Sequence, residues 1–154
     1  MRTEIAIFGA GCFWKPEEVF SKTPGVLRTQ VGYIGGKIPN PNYPLVCSGV
    51  SGHVEATKMT YDPRKISYEK LLEIFWKIHD PTQVNRQGVD FGTQYRSIIF
   101  YHDEEQKEKA PRSKEAEQKK YKKKIATEIV PAKEFYKAEE YHQKYLQKKG
   151  LKVC

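Results

Sequence analysis

The chain has 154 residues, which is enough for one domain with a sizeable core. Its 12% aromatic content argues against a disordered chain, and no apolar run approaches the ~20 residues of a membrane-spanning helix. The net charge of +8 favours attraction to polyanions but carries no information about the fold.

The three cysteines, Cys12, Cys47 and Cys154, argue against a secreted framework of disulfides because they are few and odd in number. No two of them are spaced as CxxC and the four histidines are scattered, so we expect no metal site. The N-terminal MRTEIAIFGAG is a poor secretory signal because Glu4 interrupts a short apolar run. We therefore expect a cytoplasmic protein.

The first half of the chain predicts three strands separated by a helix and a long loop. Residues 3–9 form a short apolar run that enters a glycine turn, and Pro16 is typical of the first turn of a helix. A second strand over 26–34 leads into a loop over 35–52 that is rich in Pro, Asn and Gly. Residues 53–61 alternate as a third strand does.

The second half predicts further strands and helices in alternation. Ser67 is a candidate N-cap for a helix to about His79, followed by a loop over 80–94 and a strand over 95–101. The polar stretch 103–124 has helical character, but Pro111 inside it predicts a kink or two shorter helices.

The C-terminal part predicts a strand over 125–130 and a helix over 132–148, whose apolar stripe includes Phe135 and Ala138. The interleaved elements indicate an α/β (α+β) fold over residues 1–154. We expect one domain, in which helices flank a mixed central sheet, with long functional loops and an irregular, mobile C-terminal tail over 145–154.

Cys12 is the most informative candidate for chemistry. It follows a strand and two nearby glycines and precedes a predicted helix start, where backbone N–H groups and the helix dipole stabilise a thiolate. A thiolate is the nucleophilic form of cysteine. A buried structural cysteine at a strand end explains the position equally well.

Aromatic and acidic residues offer further candidates. Phe13 and Trp14 would wall an apolar pocket beside Cys12, although simple core packing explains them as well. Glu55 is a carboxyl group within a strand-like run; if buried it would be a general acid, and otherwise an exposed strand residue. His53 shares its predicted face, but a two-residue metal pair has no evident third ligand.

Three residues in the two long loops complete the candidate set: Tyr43, Asp90 and Tyr95. Phenols donate strong hydrogen bonds to a developing oxyanion. Packing is the more common use of a loop tyrosine, so each of these signals is weak alone.

Four segments together resemble the A-type peptide methionine sulfoxide reductases: GAGCFWKPEEVF, NYPLVCSGVSGHVEATKMTYDP, NRQGVDFGTQYRS and AEEYHQKYL. The resemblance spans nearly the whole chain in order, and GCFW, GHVE and DFGTQYRS are specific in combination. Lys15-Pro16, Val54 and Phe91 depart from the usual family pattern, but none of these departures removes a reacting group.

The resemblance implies a role for each candidate residue. Cys12 would attack the sulfoxide, Phe13 and Trp14 would hold its S-methyl group, and the oxygen would be bound and protonated by Glu55, Tyr43 and Tyr95. Asp90 would belong to the supporting hydrogen-bond network. The substrate would be methionine-S-sulfoxide, free or within oxidised proteins.

The resemblance also implies how the enzyme is recycled. The sulfenic acid left on Cys12 must condense with a second thiol, for which we favour Cys154 over Cys47 because a thiol in a mobile tail can approach the site. Thioredoxin or a similar protein would reduce the disulfide. We expect no bound cofactor, no membrane and no nucleic acid, and a monomeric chain.

Two other classes remain open at this point. A thiol peroxidase would form the same sulfenic acid but would not need two phenols and a carboxylic acid directed at oxygen. A basic nucleic-acid-binding module would explain the net charge and the lysines of 119–124, although no reading motif accompanies them.

Overall fold

In the computed structural model, which describes residues 2–49 and 51–145, a six-stranded sheet forms the centre of the fold. The strands in chain order are β1 (Glu4–Gly9), β2 (Val26–Ile34), β3 (Val54–Tyr61), β4 (Arg86–Gln87), β5 (Asp90–Phe91), β6 (Ile98–Tyr101), β7 (Glu128–Pro131) and β8 (Tyr136–Lys137). The sheet order is β7-β6-β1-β3-β2-β8, and β4 pairs with β5 as a separate hairpin. Only the β6–β7 pair of this sheet is parallel, so the predicted mixed sheet is confirmed.

The helices are α1 (Trp14–Ser21), α2 (Tyr43–Cys47), α3 (Tyr68–Lys77) and α4 (Glu104–Gln118). Ser67 caps α3 as predicted, since its hydroxyl accepts a hydrogen bond from the backbone N–H of Lys70 at 3.1 Å. Asp103 caps α4 in the same way. Within the described ranges, no helix has the length and apolar character that crossing a bilayer requires.

Apolar side chains on the two faces of the sheet form separate clusters because successive strand residues point to opposite sides. Phe8 and Met59 belong to the larger cluster, together with buried side chains of α1, α3 and α4. Ile7 and Ala56 belong to the second cluster, which the segment that follows β7 covers with Phe135. The three longer helices therefore share one face.

Pro111 does not divide the polar stretch into two helices, so that alternative is wrong, and the kink stays a prediction. Helix α4 continues through it from Glu104 to Gln118. Proline has no backbone N–H, so the carbonyl of Lys107 lacks its usual hydrogen-bond donor within the helix. Lys107 and Pro111 are both exposed, so water can donate that hydrogen bond instead. The side chain of Ala110 is fully buried and fixes this turn of α4 to the core.

The predicted helix over 132–148 is wrong over residues 132–144. Residues 136–137 form strand β8, which pairs with Gly32 and Tyr33 of β2, and a single 3₁₀ turn spans Glu140–His142. Backbone groups on the edge of β2 need partners, and an extended segment supplies them where a helix would not. Residues 146–148 of the predicted helix lie outside the described residues.

Candidate active site

Cys12 lies in the turn between β1 and α1, two residues before the first helical residue, as the sequence predicts. Gly11 makes this turn with a φ of +86°, and a Cβ there would lie 2.8 Å from the side chain of Gln87. The thiol is half-buried at the N-terminal end of an eight-residue helix, where the helix dipole favours a thiolate.

A cavity of about 250 Å³ opens beside this thiol. Its walls come from the β1–α1 turn, the end of α3 and the β4–β5 hairpin. Cys12, His79 and Asp90 are among its lining residues. The hairpin therefore brings Asp90 to the cavity of Cys12 from a loop 78 positions further along the chain.

Glu55 is buried at 1% exposure in the middle of β3, so its interpretation as an exposed strand residue is wrong. One carboxyl oxygen accepts a hydrogen bond of 3.3 Å from the backbone N–H of Phe13, the residue that follows Cys12. This bond connects the carboxyl group of Glu55 to the turn that carries Cys12. Removal from water disfavours an ionised carboxylate, which is the condition for a carboxylic acid that donates a proton.

Two phenols share the surroundings of this carboxyl group. Burial raises the pKa of Tyr43 and that of Tyr95 well above the usual range, and proximity to the carboxyl group of Glu55 raises both further. A hydrogen bond with Cys47 also raises the pKa of Tyr43, and the charge of Cys12 contributes to that of Tyr95. Both phenols therefore stay protonated and remain hydrogen-bond donors at physiological pH.

Short elements that the sequence reasoning missed position these two tyrosines. Tyr43 begins α2, whose N-cap Asn42 accepts a hydrogen bond of 2.9 Å from the N–H of Leu45. Tyr95 ends a 3₁₀ turn that follows the β4–β5 hairpin. Cys47 is an exposed residue at the end of α2, and partial loss of hydration at its sulfur raises the pKa of the thiol.

An aromatic cluster forms the opposite side of the site. Phe13 is 1% exposed and packs at 5.9 Å between ring centroids against Tyr33, while Trp14 stays half-buried. The Trp14 ring stacks on Tyr145 at 3.8 Å, and its Nε1–H donates a hydrogen bond of 3.1 Å to Nδ1 of His142. Phe13 is thus a core residue as well as a neighbour of the thiol.

Residues 139–143 contribute to the site, although sequence reasoning gave none of them a role. The Glu139 carboxylate accepts hydrogen bonds from the Tyr33 hydroxyl at 2.8 Å and from the Tyr43 backbone N–H at 3.0 Å. The His142 ring lies 4.4 Å from the Tyr43 ring, and burial lowers its pKa, which keeps the ring neutral. The segment AEEYHQ within the family-like motif was the available signal.

His53 does not act with Glu55 as a metal pair. Its Nδ1 accepts a hydrogen bond from the N–H of Gly36, and its Nε2 donates to the carbonyl of Ile38, so both ring nitrogens hold the loop after β2. Across residues 2–49 and 51–145, no group of three His, Cys, Asp or Glu residues is arranged to hold a metal ion.

The structure thus brings together seven of the eight predicted residues: Cys12, Phe13, Trp14, Tyr43, Glu55, Asp90 and Tyr95. The eighth, Cys154, lies outside the described residues. A thiol at a helix N-terminus, a buried carboxyl group and two protonated phenols are the groups that a thiol-dependent oxidoreductase needs.

Comparison with known proteins identifies the family. The model of the peptide methionine sulfoxide reductase family matches residues 4–154, so the chain belongs to that family of oxidoreductases. It is 51% identical to peptide methionine sulfoxide reductase MsrA of Methanothermobacter thermautotrophicus, over 99% of this chain and 92% of the relative.

Solved structures show the same fold. Reduced Mxr1 from Saccharomyces cerevisiae matches with a TM-score of 0.92 at 38% identity, covering 97% of this chain and 87% of Mxr1. Mxr1 in complex with Trx2 matches with a TM-score of 0.68 at 27% identity, covering 94% and 85% of the two chains. The predicted fold class and the predicted family are both confirmed.

Proposed function

We propose that Cys12 is the nucleophile with which this methionine sulfoxide reductase removes oxygen from methionine-S-sulfoxide, free or within oxidised proteins. The proposal rests on one observation: the carboxyl group of Glu55 accepts a hydrogen bond from the amide next to Cys12 and is buried there. A thiolate and a proton donor thus share one small site.

Proton donation makes the sulfoxide reactive. The sulfur of a sulfoxide becomes electrophilic when its oxygen is protonated or strongly hydrogen-bonded, and Glu55 is the proposed proton donor. Tyr43 and Tyr95 would hold the oxygen, because their raised pKa values keep both phenols as donors. Asp90, whose charge adds to the raised pKa of Tyr95, is the proposed support of that phenol.

The proposed binding site for the S-methyl group is the exposed side of the aromatic cluster. Phe13 is held in the core, and the half-buried Trp14 leaves part of its ring accessible to a substrate. Apolar rings favour a methyl group without competing for the sulfoxide oxygen.

The proposed catalytic cycle has three steps. Attack by Cys12 and protonation by Glu55 release methionine and leave a sulfenic acid on Cys12. The thiol of Cys154 condenses with it, which forms a disulfide and releases water. A reduced dithiol protein regenerates both thiols and becomes oxidised to its own disulfide.

The position of Tyr145 supports Cys154 as the resolving thiol. Tyr145 stacks on Trp14, two residues after Cys12, and Cys154 follows nine positions later. Nine residues span at most about 30 Å when extended, so the chain length permits contact with Cys12. We propose the same tail, residues 145–154, as the movable part of a single domain.

The proposed reductant is thioredoxin, which is supported by the complex of Mxr1 with Trx2. We further propose that the chain works as a cytoplasmic monomer without a bound cofactor.

The central test is Cys12→Ser in an assay with dithiothreitol and methionine-S-sulfoxide. We expect no turnover, because a serine hydroxyl is a far weaker nucleophile than a thiolate and cannot form a sulfenic acid. The parent protein should not reduce the R epimer or turn over hydrogen peroxide at a comparable rate. Turnover that persists in Cys12→Ser would reject the proposed nucleophile.

A second test separates the nucleophile from the resolving thiol. Cys154→Ser should release one equivalent of methionine per protein and then stop when thioredoxin is the only reductant, because the Cys12 sulfenic acid has no partner. Cys47→Ser is the matched control and should recycle normally. Sustained turnover by Cys154→Ser together with loss in Cys47→Ser would assign the resolving role to Cys47.

A further inference from the structure

A second, larger cavity adjoins the one beside Cys12. It measures about 550 Å³, against about 250 Å³ for the cavity of the thiol. The two share Lys15, Ile78 and His79 in their walls. A chain segment that extends from a side chain held at Cys12 therefore meets this second cavity directly.

Lysines dominate the walls of the second cavity, which we call the lysine cleft. It is lined by Lys15, Lys77, Ile78, His79, Asp80, Thr82, Tyr121, Lys122 and Lys123. The lysines come from three parts of the chain: the start of α1, the end of α3 and the segment after α4. Their convergence is a property of the tertiary fold and is not visible as one run of sequence.

The lining of the lysine cleft holds four lysines and one aspartate, so its positive charge is neutralised only in part. None of its four lysines makes a salt bridge with any described residue. Asp80 is the one acidic residue in the lining, and its carboxylate accepts hydrogen bonds from the N–H and hydroxyl of Thr82.

The remaining titratable groups of the cleft stay neutral. Burial lowers the pKa of His79 to about 4, and its ring bonds to the Phe75 carbonyl and the Ser97 hydroxyl. Burial raises the pKa of the Tyr121 phenol, with contributions from Glu117 and Asp80. At physiological pH the cleft therefore presents lysine ammonium groups beside lining residues that carry no charge, such as His79, Tyr121 and Ile78.

We propose that the lysine cleft binds acidic residues that flank the oxidised methionine of a protein substrate. The inference rests on the proposed function, because it takes the sulfoxide to be held at Cys12. Carboxylates complement a lining in which four lysines outnumber one aspartate, and continuity with the thiol cavity favours a substrate segment over a separate polyanion such as nucleic acid. The cleft would thus select acidic sequence around methionine sulfoxide.

Three N-acetylated pentapeptides with a central methionine-S-sulfoxide provide the test, with flanking residues that are all Asp, all Ser or all Lys. At about 20 mM salt we expect kcat/KM to be about tenfold higher for the Asp peptide than for the Ser peptide, which corresponds to two or three exposed ion pairs. The preference should shrink to about twofold or less at 0.5 M salt because exposed charges are screened.

Charge reversal locates the effect. The double variant Lys122→Glu/Lys123→Glu should lose the preference for the Asp peptide. The matched control Lys107→Glu/Lys133→Glu carries the same charge change on exposed residues outside the cleft and should keep it. The measured quantity is the ratio of kcat/KM for the Asp peptide to kcat/KM for the Ser peptide in the same variant. A general loss of activity lowers both values and leaves this ratio unchanged.

Several outcomes would overturn the inference. Equal kcat/KM for all three peptides in the parent protein would reject it, and so would an Asp preference that survives Lys122→Glu/Lys123→Glu. Binding of a fluorescent single-stranded oligonucleotide that the variant loses while peptide preference stays unchanged would assign the cleft to nucleic acid. Failure to reduce free methionine-S-sulfoxide would instead reject the proposed function itself.

Discussion

At the scale of single residues, the site depends on a carboxyl group held where water is excluded. We expect Glu55→Gln to lower kcat by about 10²–10⁴, the range typical of a lost general acid, because the amide cannot supply the proton. The glutamine oxygen can still accept the hydrogen bond from the Phe13 N–H, so the turn that carries Cys12 should be retained. Single-turnover release of methionine measures the effect directly.

A matched control exists at the far end of β1. Glu4 is also a carboxylate with a tyrosine partner, since it accepts a hydrogen bond of 3.0 Å from the Tyr61 hydroxyl. It begins the strand whose other end leads to Cys12, so Glu4→Gln should leave the rate of methionine release within about twofold of the parent. An equal loss in the two variants would mean that Glu55 acts through stability and does not donate the proton.

At the scale of elements, the backbone groups on the edge of β2 are hydrogen-bonded by strand β8 and also by a side chain. The buried amide of Gln143 accepts a hydrogen bond from the Val31 N–H at 2.9 Å and donates to the carbonyls of Val31 and Ala138, each at 2.9 Å. This amide continues the edge where β8 stops. The residue before Gln143, His142, accepts the hydrogen bond from Nε1–H of Trp14.

Removing that amide should therefore be costly. We expect Gln143→Ala to lower the free energy of unfolding by about 2–3 kcal/mol, because the buried N–H of Val31 loses its partner and the Val31 carbonyl keeps only the N–H of Ala138. Urea unfolding followed by tryptophan fluorescence measures this change. Lys133→Ala, an exposed change in the same segment, should stay within about 0.5 kcal/mol, and a similar loss in both variants would contradict the role of Gln143.

The elements also show why the sequence predicts some of this site and not the rest. Strand β2 and the Ser67 cap follow from local patterns, and both are where the sequence places them. The predicted helix over 132–148 fails because its apolar residues contact different partners: Phe135 packs on Gly32, Ala138 joins the cluster of Phe13, and Tyr145 stacks on Trp14. The spacing of apolar residues in the sequence does not show which part of the protein each of them packs against.

The candidate site shows the same division. Motif resemblance predicts Cys12, Glu55 and the two tyrosines as site residues, because each lies in a short sequence motif that resembles the family. The contributions of Glu139 and the lysine cleft follow from tertiary contacts between segments far apart in the chain. Short elements such as α2 and the β4–β5 hairpin were missed because packing supports them more than local propensity does.

At the scale of the whole molecule, buried phenols couple stability to alkaline pH. Burial raises the pKa of Tyr33, Tyr61 and Tyr68 far above the value of 10.0 that tyrosine has in an unfolded chain. A pKa raised in the folded state means that the unfolded chain loses these protons first. The resulting stability is complete below about pH 10 and is lost as the pH rises above it.

We therefore expect the free energy of unfolding to fall above pH 10 by about 1.4 kcal/mol per pH unit for each of these three tyrosines. Tyr68→Phe isolates one of them, since its hydroxyl is buried and has no hydrogen-bond partner among the described residues. The variant should be at least as stable as the parent at pH 7, because it removes an unsatisfied polar group. Urea unfolding between pH 8 and 11 should also show an alkaline slope that is smaller by about 1.4 kcal/mol per pH unit, and an unchanged slope would mean that Tyr68 ionises equally in both states.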